Sequence, residues 1–280
     1  MRFISSIPCL IFSLFFVAVA QVQAVETKID YQLQGAVYQW FGLLDQSNQA
    51  ITTKNSQKVI KHLNQKGAHH LLSITTVDRY PSTTEVEVEL EFLPKPSRAD
   101  EEIHGHYVIQ TLLINPVTGE VSRSDILQND IDDFTSRFRS SSDNNLIKGF
   151  LYHWTQLLDN ASVANTDQPL QVKNVTTNTR FNSEERNLSV QDYIAQLQTL
   201  NAQSSRRAIK YLKITPAQAP HTFTVDYQYQ WNLVNQDGEP ELAQIGVTIK
   251  VMVKNGQVLV QEYKANYLPP VTDLGAEIRC

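Results

Sequence analysis

Residues 35–45 read Gly-Ala-Val-Tyr-Gln-Trp-Phe-Gly-Leu-Leu-Asp, and residues 149–159 read Gly-Phe-Leu-Tyr-His-Trp-Thr-Gln-Leu-Leu-Asp. Gly, Tyr, Trp, Leu, Leu and Asp keep their relative places. In both copies a second helical segment and then alternating strands are expected to follow. A phrase repeated at that distance with the same sequel marks a duplicated domain.

The phrase is expected to be helical. At 100° per residue, Trp40, Leu43 and Leu44 share a face with Ala36 and Val37, and Trp154, Leu157 and Leu158 share one with Phe150 and Leu151. That face should be core. Gly35, Tyr38 and Asp45 fall together on the opposite face, as do Gly149, Tyr152 and Asp159. A repeat must keep its core residues, so the retained Trp and Leu are explained at once. The retained Tyr and Asp need a second reason.

Second helices are expected at 55–66 and 189–200, the latter capped by Ser189 with Asp192 three residues on. Repeat 2 carries an insert before this helix, read as a strand at 172–177 followed by loop through Arg186. Strands follow in both halves. Residues 85–92 alternate Glu with Val, Leu and Phe, and 222–231 alternate polar residues with Phe, Val, Tyr and Trp. Period two means one buried face and one wet face. The other expected strands are 70–79, 103–114 and 119–127 in the first half and 208–215, 241–254 and 257–268 in the second. Asn255-Gly256 suits a type I′ turn and Asp237-Gly238 another turn. The run from Ser140 to Asn145 reads as linker.

The chain has 280 residues with formal net charge −5. Residues 25–130 carry 9 Lys and Arg against 14 Asp and Glu, and 148–280 carry 12 against 12. No basic patch of the kind nucleic acid requires is present. Residues 1–24 read as a signal peptide: Arg2 leads an apolar run that ends in Val22-Gln23-Ala24, a small-x-small cleavage site. An uncleaved membrane anchor is the alternative, since the run approaches the length of a span. After cleavage no segment would insert stably in a membrane, and Cys280 would be the only thiol, so no internal disulfide could form.

Each half is therefore helices first, then a meander of three or four antiparallel strands, which is an α+β domain. In element order, domain length and aromatic first helix, it resembles the NTF2-like superfamily and its SnoaL-like domains. The resemblance implies two repeats of an NTF2-like cone, helices packed on a curved antiparallel sheet. The expected layout is signal peptide 1–24, repeat 1 at 25–130, linker 131–147, repeat 2 at 148–270 and tail 271–280. It also implies a pocket between first helix and sheet. Such domains often pair through their sheets, and two fused copies would supply that partner internally. This gives a monomer with an internal pseudo-dimer, plus a minor dimer linked through Cys280.

In enzymes of that superfamily polar groups project into the mouth of the cone. The candidates here are Tyr152 with Asp159, and Tyr38 with Asp45. A carboxylate beside a phenol could transfer protons. The competing reading, which the sequence favours, is that these residues tie the helix to its surroundings or meet between halves. Asp45 and Asp159 lie late in their helices, where a negative charge opposes the dipole. Phe223, Tyr227, Tyr229 and Trp231 share the buried strand face of repeat 2 and, with Tyr152, are the candidate ligand-binding residues. The matching face of repeat 1, Val86, Val88, Leu90 and Phe92, is blander.

Glu85, Glu87, Glu89 and Glu91 with His104 and His106 could form a metal site, but a charged outer face is the favoured reading. His69-His70 alternate across a strand, and their counterpart Arg206-Arg207 suggests a surface site free to vary. No cofactor is implied. The favoured reading is an exported binding module, periplasmic or secreted, for a small apolar ligand or an envelope protein. A SnoaL-like enzyme and a structural part of an envelope or secretion assembly are the alternatives.

Overall fold

The computed structural model describes residues 30–46, 67–94, 98, 104–132, 142–163, 180–182 and 187–268. The signal peptide, the expected helix at 55–66, the strand at 172–177 and the tail with Cys280 lie outside these. Helix α1 (Tyr31–Gln46) is followed by strands β1 (Gly67–Arg79), β2 (Thr84–Pro94), β3 (Gly105–Ile114) and β4 (Val121–Asp132). Helix α2 (Ser142–Ser162), short strands β5 (Arg180–Asn182) and β6 (Asn187–Ser189), helix α3 (Val190–Gln198) and strands β7 (Ser204–Pro216), β8 (Thr222–Val234), β9 (Pro240–Lys254) and β10 (Gln257–Leu268) complete the order.

Local chemistry explains the boundaries. The Asp30 carboxylate accepts from Leu33 N at 3.0 Å and caps α1. Ser189 caps α3 by accepting from Asp192 N at 3.1 Å. Asn255 and Gly256 both take positive φ, as a type I′ turn requires. Two sequence readings are corrected. The stretch 131–147 is not all linker: β4 runs to Asp132 and α2 starts at Ser142. Asp143 is buried there and satisfied by Gln46 Nε2 and His221, so the Asn- and Asp-rich run opens a helix. The insert is also not loop through Arg186, because β5 adds to the free edge of β10, in parallel.

The first sheet has strand order β1-β2-β3-β4 and the second β6-β5-β10-β9-β8-β7. The side of β2 that carries Val86, Val88, Leu90 and Phe92 is fully buried against α1, while its glutamates are half-buried on the other side. The first core joins Leu33, Val37, Trp40, Phe41 and Leu44 to that sheet. The second joins α2 and α3 to β7–β10, with Trp154 and Leu158 at its centre. Each half is thus helix on curved antiparallel sheet. Leu43 corrects the helical-face reading: it is 37% exposed and packs on the Gly256 turn, and Phe41 fills the core instead. The helix is buried on two sides, so Leu43 is left at the margin between them.

The second buried side of α1 faces α2, and this is the main contact between the halves. A Cβ on Gly149 would lie 2.9 Å from Gln39 N and 3.0 Å from Gly35 O. One on Gly35 would strike the His153 ring. Only glycine lets the two backbones approach so closely. Tyr152 stacks between Tyr31 and Tyr38, with ring centres 5.5 Å from each, and the Lys148 ammonium lies 5.1 Å from the centre of the Tyr38 ring. The retained Gly and Tyr therefore form the seam between repeats. The seam is made by helices, not by the sheet pairing that the resemblance implies. Gly149→Ala is expected to cost about 1–3 kcal/mol by overpacking, read as a fall in the urea midpoint.

The seam also titrates. Burial lowers the pKa of His153 from its ordinary 6.5, with a backbone hydrogen bond at Gln32 working the other way. A lowered value means that the neutral ring is the folded form, so its contribution is complete above about 6.5 and is lost as pH falls through the folded value. The wild type is expected to lose more stability between about pH 7 and pH 5 than His153→Gln does. Urea titrations at the two pH values measure the difference.

Candidate functional site: a phenol–guanidinium cluster in the second half

Asp159 ends the repeated phrase near the C-terminus of α2. Its carboxylate accepts from Arg207 N at 2.9 Å, from Arg207 Nη1 at 2.6 Å and from the Ser205 hydroxyl at 3.0 Å. Arg207 Nη2 reaches Ser162 Oγ at 3.4 Å, and Trp231 Nε1 donates to Ser205 Oγ at 2.9 Å. Arg207 is wholly buried. Its guanidinium carbon stands 4.3 Å from the centre of the Trp231 ring and 5.8 Å from that of Tyr229. Burial opposes its charge, but Tyr229 and Asp159 more than offset that, and its pKa is raised.

Strand register assembles the rest. Arg207 pairs with Trp231 and Ile209 with Tyr229 across β7 and β8, so these side chains share the inner face. Tyr227 and Tyr229 are buried beside one another, with ring centres 6.1 Å apart. Tyr263 of β10 lies 6.1 Å from Trp154, and Tyr193 of α3 lies 6.5 Å from Tyr263. Burial is the first cause of the raised pKa at Tyr193, Tyr227, Tyr229 and Tyr263. All four stay phenols at any ordinary pH and can donate hydrogen bonds.

The first half builds the same frame with different contents. Asp45 accepts from His69 N at 3.2 Å and pairs with His69 Nδ1, as Asp159 does with the backbone and side chain of Arg207. Asn145 crosses from the other half and donates to Asp45 at 3.2 Å and to His69 O at 2.8 Å. In the reciprocal place Tyr31 accepts from Ile209 N at 3.0 Å, and burial raises its phenol to about 12. His69 pairs with Phe92 in register, which sets Leu90 and Val88 where the second half has Tyr229 and Tyr227. Only one cone carries the phenols.

The candidates named from sequence are thus divided. Phe223, Tyr227 and Tyr229 are buried together on the inner face and Trp231 is half-buried beside them. Tyr152 and Tyr38 stand in the seam, while Asp159 and Asp45 clasp the first long strand of their own sheets. The reading of 69–70 and 206–207 as a variable surface is overturned, since His69 and Arg207 are buried. A retained carboxylate needs a partner, and both partners can carry positive charge. That correspondence was the signal for Arg207, which the sequence reading missed along with Tyr193, Ser205 and Tyr263. His106 pairs with Phe92, on the face away from Glu91, and bonds to Asn129 at 2.9 Å. Among the described residues no group of His, Cys, Asp and Glu could hold a metal ion, and no helix is long and apolar enough to cross a membrane.

No protein-family model matches the sequence, nor does any curated protein. Similar solved structures each cover about half of the chain. A protein of Xanthomonas campestris, named as a calcium/calmodulin-dependent protein kinase II association domain, is 10% identical over 48% of this chain and 91% of its own, with a TM-score of 0.38. An NTF2-like superfamily protein of Salmonella enterica is 11% identical over 48% and 96%, at 0.36. Candida albicans Mtr2 is 12% identical over 46% and 99%, at 0.35. Each half sets helices against its own antiparallel sheet.

Proposed function

We propose that the chain is an exported, non-catalytic binding module that holds a small apolar ligand in the cone of its second half. The observation that carries this reading is the cluster around Arg207. A domain interior is normally filled with aliphatic side chains, and the first half obeys that rule with Val88 and Leu90. The second half places phenols and a guanidinium there at a cost in folding stability. Groups that a core does not need are explained by something they recognise. The apolar segment 3–20 supports export. The proton-transfer reading has less support, because Asp159 is committed to Arg207 and Ser205, and Tyr152 to the stack with Tyr31 and Tyr38.

The environment-sensitive dye N-phenyl-1-naphthylamine tests this. The folded chain is expected to take up one dye per molecule, with tryptophan emission falling as dye emission rises. A folded chain that leaves the dye dark contradicts the reading.

A further inference from the structure

Tyr31 and Asn145 stand 114 positions apart, as do Gly35 and Gly149, and Asp45 and Asp159. They therefore hold one place in the plan of the repeat. Their chemistry differs, yet both reach out of their own half. Asn145 donates to His69 O of β1 at 2.8 Å, and the Tyr31 hydroxyl accepts from Ile209 N of β7 at 3.0 Å.

The targets correspond too. β1 and β7 stand at the ends of their sheets' orders. A strand at the end of an antiparallel sheet turns the N–H of every second residue away from its ladder. On β7 the N–H groups of Arg207 and Ile209, two residues apart, fall on that side. Asp159 of the same half receives the first at 2.9 Å, and Tyr31 of the other half receives the second. Directly afterwards the strand bulges, between Ile209 and Tyr211. The pairing changes step at a bulge, and the two bonds fix the residues that lie before it. Those are Arg207 opposite Trp231 and Ile209 opposite Tyr229, the frame of the candidate site. The Tyr31 ring is set in turn by the seam, where it stacks on Tyr152 and Tyr152 on Tyr38.

We infer that the first half regulates the ligand site of the second: the packing of α1 on α2 places the Tyr31 hydroxyl, which seats β7 and so sets Arg207 against Trp231. The inference rests on the reading of the second half as a ligand site and adds what controls it. Tyr31 is a positioning residue that acts through β7. When the seam loosens and the hydroxyl withdraws, Ile209 N loses its acceptor and the strand shifts beside the site.

The test compares Tyr31→Phe with Asn145→Leu in the full chain, since each removes bonding that crosses between the halves. Tyr31→Phe keeps the stacked ring, and near-ultraviolet circular dichroism reports whether both variants fold. Tyr31→Phe is expected to bind N-phenyl-1-naphthylamine about fivefold more weakly than the wild type. Asn145→Leu is expected to stay within about twofold, because its bonds serve the other sheet. Amide hydrogen exchange in Tyr31→Phe should quicken at Ile209, which loses its acceptor, and also at Arg207, which keeps Asp159. Unchanged dye affinity in Tyr31→Phe, equal weakening in the two variants, or quickening confined to Ile209 overturns the inference and leaves a ligand site in place. If Asn145→Leu does not fold, dye affinity and exchange in Tyr31→Phe decide alone. A folded wild type that leaves the dye dark defeats the ligand reading itself and takes this inference with it.

Discussion

Asp159→Ala is expected to destabilise the second half by about 3–5 kcal/mol, because it strands a buried guanidinium. The Arg207 side chain is 1% exposed, and its closest charge partner is Asp159 at 2.6 Å. A guanidinium cannot shed its proton to escape the site. The backbone N–H of Arg207 loses its acceptor in the same step. Asp45→Ala should cost less, although it breaks the equivalent clasp, since Asp159 faces the obligatory charge of a buried guanidinium. Paired urea titrations of the two variants measure this asymmetry. Equal losses would mean that the clasp matters through its backbone bond alone, and that the charge of Arg207 is irrelevant.

Trp154→Ala and Trp40→Ala are each expected to cost about 3–5 kcal/mol. Trp154 and Trp40 are 5% and 7% exposed, and each is the largest side chain that its helix sets against its sheet. Tryptophan truncation removes dispersion contacts and leaves a hole that a curved sheet cannot close by sliding. Both variants should lose the folded baseline at a lower urea concentration, with the Trp154 variant losing the ring packed edge-on against Tyr263 as well. A loss under about 1 kcal/mol at either site would contradict the equivalence of the two helices as core elements.

Much of this architecture is legible in the sequence because period and punctuation are local. The alternation of Glu with Val, Leu and Phe gave β2 almost to the residue, and Asn255-Gly256 gave its turn. Ser189 announced the start of α3. The repeat itself contained more than the reading extracted. Its Gly and Tyr encode a helix seam, and its Asp encodes a clasp to the first long strand of the same sheet. These are contacts between segments distant in the chain, and a single helix viewed alone shows only that a second face was kept. Leu43 was misplaced for the same reason: a helical wheel assumes one buried side, and α1 has two.

The site was half legible. Period two put Tyr227, Tyr229 and Trp231 on one face, and that face is where they are. Arg207 was misread because an Arg pair looks like surface unless its acid is known. Once Asp159 is aligned with Asp45, a basic side chain opposite each becomes an expectation rather than a surprise. Tyr263 and Tyr193 come from elements far along the chain, and only the sheet order β10-β9-β8-β7 and the packing of α3 bring them in.

If the second half holds a small molecule, native mass spectrometry of protein taken from its own source is expected to show a chain mass raised by one small molecule, which gentle activation removes. A bare chain mass under conditions that keep the fold intact would contradict it.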